Sequence, residues 1–201
     1  MIGTEMHKCL ALALVFALAC LLPLFDTGYW LSIGVSLAMY AVLATSWALF
    51  SGPTHYISLA TAGFFGAGMY IVGGGIDYFP FPILVIVAAI VGAVMAALVG
   101  LTTMRISGVY FVIFTLGLAE LIRQVVVWVQ TTMGSSSGLY VLTEITETMI
   151  YWELLLLLAL IYLIGWKIGR SRLGLALRVI GNDEMVAAHV GINTARAKIT
   201  L

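Results

Sequence analysis

Two groups of residues in this chain have types and spacing that could do chemistry. The first is Glu120, Arg123 and Gln124, which interrupt an apolar run from Ile106 to Gln130. A three-residue spacing places Glu120 and Arg123 side by side on one helix face, where a carboxylate and a guanidinium can pair. The second is Gly134-Ser135-Ser136-Ser137-Gly138, which has the G-x-S-x-G spacing of a nucleophilic serine. That device works only on a tight turn from strand to helix with a histidine in reach. No strand pattern precedes it, and His7, His55 and His189 fall on the other side of the chain once the spans are laid out. The loop is therefore read as a flexible polar connection, and no catalytic residue is assigned. No G-x-x-x-x-G-K-[ST] phosphate loop occurs, and Gly73-Gly74-Gly75 lacks the following lysine and reads as a turn. Cys9 and Cys20 alone cannot build a disulfide framework or a cysteine-rich metal site, so neither metal nor cofactor is expected.

The elements that position these groups follow from composition. Of 201 residues, 63% are hydrophobic and 9% charged, against roughly 25% charged in a soluble domain. Nine Lys and Arg with nine Asp and Glu cannot cover a water-facing surface of this size, so lipid must be the solvent. A net charge of +0 without a basic stripe excludes nucleic-acid binding, and the hydrophobicity excludes disorder. Six apolar runs approach the ~20 residues of a spanning helix: Cys9 to Phe25, Tyr29 to Phe50, Tyr56 to Val72, Phe81 to Met104, Ile106 to Gln130 and Met149 to Trp166. They are continuous, whereas barrel strands alternate over ~10 residues. The expected fold is all-α: one transmembrane domain over 1–201, a polytopic bundle of about six spans. The first run is read as a span and not a signal peptide, because Leu21-Leu22-Pro23-Leu24-Phe25 extends it without a polar break.

Lys8, Arg105, Lys167, Arg170, Arg172, Arg178, Arg196 and Lys198 all fall on one side if the six runs alternate, while the opposite loops carry Asp26, Asp77, Glu144 and Glu147 and no basic residue. The basic side is expected to be the cytoplasm, with the amino terminus on it. Small residues repeat every four positions as Ser58, Ala62 and Gly66, beside Gly63, and again as Gly92, Ala96 and Gly100. Such rows let helices approach closely; the Gly-rich third run, entered through Ser51-Gly52-Pro53-Thr54, is also a candidate to move or break beside a pathway. For Glu120 and Arg123 two readings stand: Arg123 snorkels while Glu120 neutralises it, or the pair lines a pathway with Thr115 and Ala119 continuing its face. The basic side also carries a coupling segment, 167–198. Within it Asn182 suits an N-cap, Asp183 and Glu184 the first turn, and Gly191 the C′ position of a short helix. About eight residues cannot hold a helix unaided, so Met185, Val186, Ala187, Ala188 and Val190 are expected to dock on a partner.

Three passages resemble a known family. They are Ile57-Ser58-Leu59-Ala60-Thr61-Ala62-Gly63-Phe64-Phe65-Gly66-Ala67-Gly68-Met69-Tyr70; Arg105-Ile106-Ser107-Gly108-Val109-Tyr110-Phe111 through Thr115-Leu116 and Glu120-Leu121-Ile122-Arg123 to Gly134; and Gly174-Leu175-Ala176-Leu177-Arg178-Val179-Ile180 through Asn182, Glu184, Ala187, Ala188 and Gly191-Ile192-Asn193. They are similar to permease subunits of bacterial ABC importers for branched-chain amino acids, LivM type, with urea and amide importers as relatives. The resemblance implies an inner-membrane importer with a second permease subunit, ABC ATPase subunits and an extracytoplasmic substrate-binding protein. It also implies that Arg178, Asn182, Asp183, Glu184, Ala187, Ala188 and Gly191 belong to the segment that contacts the ATPase. The Glu-Ala-Ala signature of related importers is matched only approximately, and family members continue past Leu201 into further spans, so a truncated permease is expected. A secondary transporter or channel is the alternative, though it would need its own coupling-ion site at mid-membrane and only Glu120 with Arg123 offers one. A membrane-embedded enzyme would need convergent side chains that the topology separates.

Overall fold

The computed structural model describes residues 14–23, 28–103, 106, 108–132, 145–182, 184–189 and 191, with Glu184, Met185 and Ala188 described by their backbone alone. The described residues form helices and no strand: α1 (Leu14–Pro23), α2 (Tyr29–Thr54), α3 (Thr61–Gly75), α4 (Phe81–Thr103), α5 (Val109–Thr132), α6 (Glu147–Arg170), α7 (Arg172–Asn182) and α8 (Glu184–His189). Four of them, α2, α4, α5 and α6, are long and apolar enough to cross a membrane. At ~1.5 Å per residue they measure roughly 35 to 39 Å, enough for a hydrocarbon core of ~30 Å. The third expected run departs from a single spanning helix, because α3 has 15 residues and reaches only ~22 Å. Of the first run, only α1 lies among the described residues. Lys8, Arg105, Arg196, Lys198, Asp26, Glu144 and the Gly134–Gly138 loop lie outside them.

The chain divides into two compact units. In the first, 1–46 with 144–166, Leu31, Ala38, Tyr151 and Leu155 are buried and pack with Phe16, Ala19 and Cys20 of α1. Tyr151 donates its hydroxyl to the Ala19 carbonyl at 2.8 Å, and Ser32 donates to Glu147 Oε2 at 2.7 Å. Gly34 lets α2 sit close, since a Cβ there would lie 3.1 Å from Leu22 and 3.2 Å from Tyr151. With lipid as solvent there is little hydrophobic force between such helices, so close approach and interhelical hydrogen bonds hold them.

In the second unit, 47–143 with 167–201, α3 packs against both α4 and α5. Its contact with α5 runs through Gly63, whose added Cβ would lie 3.0 Å from Ile122 Cδ1 and 3.1 Å from the Ala119 Cα. The residue that closes this interface is therefore Gly63. The expected row departs from one helix face: Ser58 precedes α3, Ala62 is exposed and Gly66 faces open space. On α4, Gly92 likewise meets nothing within 4 Å.

The segment after α6 contains an element absent from the sequence expectation, the amphipathic helix α7. Ser171 ends α6 by donating its hydroxyl to the Ile168 carbonyl (2.7 Å) and caps α7 by accepting from the Gly174 N–H (3.3 Å). The turn is tight: a Cβ on Gly174 would collide with the Ile168 carbonyl. The spacing of Leu173, Leu177 and Ile180 aligns one face of α7, and α8 folds back on it so that Leu177, Ile180 and Ala187 form a buried cluster. Ala187, expected to face a partner, instead faces α7. Its side chain, 0% exposed, packs inside the chain, and the short helix gains its stabilisation from α7. Gly191, with φ +83°, takes the left-handed conformation expected at a C′ position. Asn182 ends α7, Asp183 lies outside the described residues, and the side chains of Glu184 and Ala188 do also. Ala187→Glu is expected to unseat α8, because burying an unpaired carboxylate costs on the order of several kcal/mol. Limited proteolysis should then cut near residues 182–191, whereas exposed His189→Gln should leave the pattern unchanged.

Candidate functional site

The site is built around a stretch where the backbone leaves the helical state. α2 continues past Phe50 to Thr54 with Pro53 in its last turn, where the missing proline N–H already weakens the helix. It stops at His55, which has φ +57° and donates its N–H to the Ser51 carbonyl at 3.0 Å. Glycine is the usual occupant of this left-handed position. Thr54 Oγ1 donates to the Phe50 carbonyl (2.6 Å) and accepts from the Tyr56 N–H (3.3 Å). Residues 55–59 are then non-helical, and α3 begins after the turn at buried Ala60.

Two neighbouring helices each supply one hydrogen bond to this stretch. Trp47 Nε1–H of α2 donates to the Ser58 carbonyl at 2.8 Å, and the Leu59 N–H donates to Thr115 Oγ1 of α5 at 3.1 Å. Thr115 is 1% exposed and is itself fixed by donating to the Val112 carbonyl at 2.9 Å. Depth follows from position. Thr115 lies six residues into α5, about 9 Å from its start, and Trp47 lies seven residues before the end of α2, about 10 Å in. A helix of 24 residues overhangs a ~30 Å core by only ~3 Å at each end. Ser58 and Leu59 therefore sit at hydrocarbon depth, where an unpaired backbone group is costly and irregular backbone persists only if protein satisfies it. Phe50 stacks on Phe111 at 6.2 Å and Tyr56 meets Phe111 edge-on at 5.1 Å, which closes the aromatic flank.

The same break is joined to α7. His55 Nδ1 lies 2.8 Å from the Gly181 carbonyl; a carbonyl only accepts, so Nδ1 carries the hydrogen. Gly181 is required by the closeness of this contact, because a Cβ would collide with the Pro53 carbonyl and lie 3.2 Å from His55 Nδ1. Beside it opens a cleft of about 470 Å³ lined by Gly52, Pro53, His55, Arg178 and Asn182. Arg178 and Asn182, expected on the coupling segment, thus come together against the α2–α3 break.

α5 carries a second feature on its other side. Arg123 Nε donates to Glu120 Oε2 at 2.8 Å, Arg123 Nη2 to Glu120 Oε1 at 2.6 Å, and Gln124 Nε2 to Oε1 at 2.9 Å. Glu120 is twelfth of the 24 residues of α5, near mid-span. The pair is open, with 62% of the Arg123 and 54% of the Glu120 side chain exposed. Arg123 turns back to Glu120 and not toward the helix end. The expected continuity with Thr115 and Ala119 is replaced by a division of labour. Phe111, Thr115 and Ile122 form the buried face, Ala119 backs onto Gly63, and Gly117, Glu120, Gln124 and Thr131 share an exposed one. Trp47, His55 and Gly181 went unassigned in the sequence; Pro53 and the Gly52-Pro53 pair were its only local signal of a break.

A family model described as Branched-chain amino acid transport system / permease component matches residues 29–201. The chain belongs to this permease family. No curated protein and no solved structure matched it. The match begins at the first residue of α2 and takes in the break, the mid-span pair and α7–α8 of the permease. Membership and the four spanning helices make the chain a membrane-embedded transport component. In the permease, Thr115→Val should leave the Leu59 N–H unpaired and cost about 1–3 kcal/mol. The midpoint of thermal unfolding in detergent should fall, and Thr115→Ser should recover most of the loss.

Proposed function

We propose that the chain is the transmembrane permease subunit of a bacterial inner-membrane ABC importer for branched-chain amino acids. The observation that carries this reading is the family match over residues 29–201. On this reading α1 with its flanking residues makes the first crossing. Residues 55–60 with α3 make the third, since ~16 Å of extended chain added to ~22 Å of helix is enough for the core. The exposed face of α5 lines the pathway. Partners are ABC ATPase subunits, a second permease subunit and an extracytoplasmic substrate-binding protein, with lipid around the spans.

The coupling segment 167–198 faces the ATPase, and the geometry offers a route for its input. α7 and α8 move as one because Leu177, Ile180 and Ala187 lock them together. α7 touches the break through Gly181 and His55, and the break touches the first half of α5 through Leu59 and Thr115. A shift of α7 thus reaches α5 through two hydrogen bonds and the non-helical residues 55–59. Arg178 and Asn182, exposed at the cleft and outside the α7–α8 core, are suited to meet the ATPase.

Co-purification tests the class: an ATPase subunit should be retained with the permease, and full uptake without one would indicate a secondary transporter. Arg178→Glu is expected to leave insertion intact while the ATPase no longer responds to the loaded binding protein. Orientation is tested by single cysteines at Ser136 and Gly169 after Cys9 and Cys20 are removed. Gly169 suits this because a side chain there meets open space. With the basic side cytoplasmic, an impermeant thiol reagent on intact cells should label position 136 and spare 169; the reverse pattern would invert the topology.

A further inference from the structure

The mid-span pair on α5 has a chemical property that packing does not require. Glu120 accepts all three of its hydrogen bonds from its own helix, two from Arg123 and one from Gln124, yet both charged side chains stay more than half exposed. Lipid cannot cover them, because intramembrane charges face a wet interior or another protein group. A pure packing role would bury the pair against a neighbouring element, as Thr115 is buried on the opposite face. Instead Gly117, one turn before Glu120, leaves open space beside it, and Gln124 continues the polar strip toward Thr131.

We propose, resting on the permease reading above, that Glu120, Arg123 and Gln124 form an exchange site for the head group of a zwitterionic α-amino acid midway along the pathway. The pair is closed on itself when no solute is present, so neither charge stands alone at mid-membrane. An α-amino acid brings one positive and one negative group a few ångströms apart. Its carboxylate can take the Arg123 guanidinium fork and its ammonium the Glu120 carboxylate, with Gln124 donating to the solute carboxylate. Each charge changes partner without losing one, so the exchange avoids the desolvation cost of an uncompensated ion. A solute with a single charge would strand either Glu120 or Arg123. An uncharged solute would have nothing to replace the charge-assisted bonds it breaks. The space at Gly117 leaves room for the solute beside the pair, and the apolar side chain would lie along the neighbouring Leu116 and Leu121, both exposed. The site therefore selects for the zwitterion and is indifferent to the shape of its side chain.

The test uses the assembled importer, with ATPase and binding protein, in proteoliposomes, and labelled L-leucine as probe. Glu120→Gln with Arg123→Gln removes both charges and keeps both side chains polar; Glu120→Arg with Arg123→Glu exchanges them. The proposal expects the charge-free variant to assemble at wild-type yield and lose uptake at least tenfold, and the exchanged pair to recover part of that loss. Uptake by the charge-free variant within twofold of wild type overturns the proposal while leaving the permease reading intact. Loss of assembly in the charge-free variant also overturns it, since a site for a mobile solute is not needed to build the complex, and assigns the pair to a subunit contact. A wild-type complex that holds ATPase and binding protein but takes up no L-leucine refutes the permease reading itself, before any variant is compared.

Discussion

In lipid, a backbone N–H or C=O without a partner has no water to turn to, and the second unit of this protein is arranged around that constraint. Helices satisfy it within themselves, but residues 55–59 do not form one. The Ser58 carbonyl is completed by an indole from α2 and the Leu59 amide by a hydroxyl from α5. That donor and that acceptor tie the break to the last turns of α2 and to α5. The consequence is that the break is a specified joint and not a loose connection. It also explains why Thr115 can be almost completely buried although it is polar: its hydroxyl both donates and accepts a hydrogen bond.

α5 presents two faces of different character. Phe111, Thr115 and Ile122 give one side to packing and to the break, and Glu120, Arg123 and Gln124 give the other to charge. Because 3.6 residues make a turn, positions 115 and 120 point about 140° apart, so one rigid rod presents both. A motion that tilts or rotates α5 through the Leu59 contact would necessarily reorient the ion pair. α7 is the remaining link, since its Gly181 approaches the Pro53 carbonyl too closely for any side chain.

Much of this was legible in the sequence, for identifiable reasons. Long apolar runs announce spans by length alone, so α2, α4, α5 and α6 were found within a few residues of their ends. Spacing of three announced the Glu120–Arg123 pair, because contacts within one helix depend only on the helical period. Gly191 was marked by its residue type, as left-handed backbone favours glycine. Contacts between segments were not legible. A four-residue row of small residues predicted a packed face of Ser58, Ala62 and Gly66, but the row assumed a helix that begins only at Thr61. In the sequence Ala187 reads as a residue awaiting a partner, because the face it packs on belongs to α7, whose signal lies in the spacing of Leu173, Leu177 and Ile180. His55 in a left-handed conformation has no sequence signature at all; its stability comes from Ser51 and Gly181, one local and one 126 positions away.

The central claim is that the break is held at depth by side chains of its neighbours, and hydrogen exchange at the Leu59 amide tests it most directly. In the permease held in lipid nanodiscs, this amide should exchange as slowly as those inside α3, and replacement of Thr115 by valine should accelerate it about tenfold or more. An amide that exchanges at the rate of an unstructured peptide, or at one rate with and without the Thr115 hydroxyl, would contradict the account.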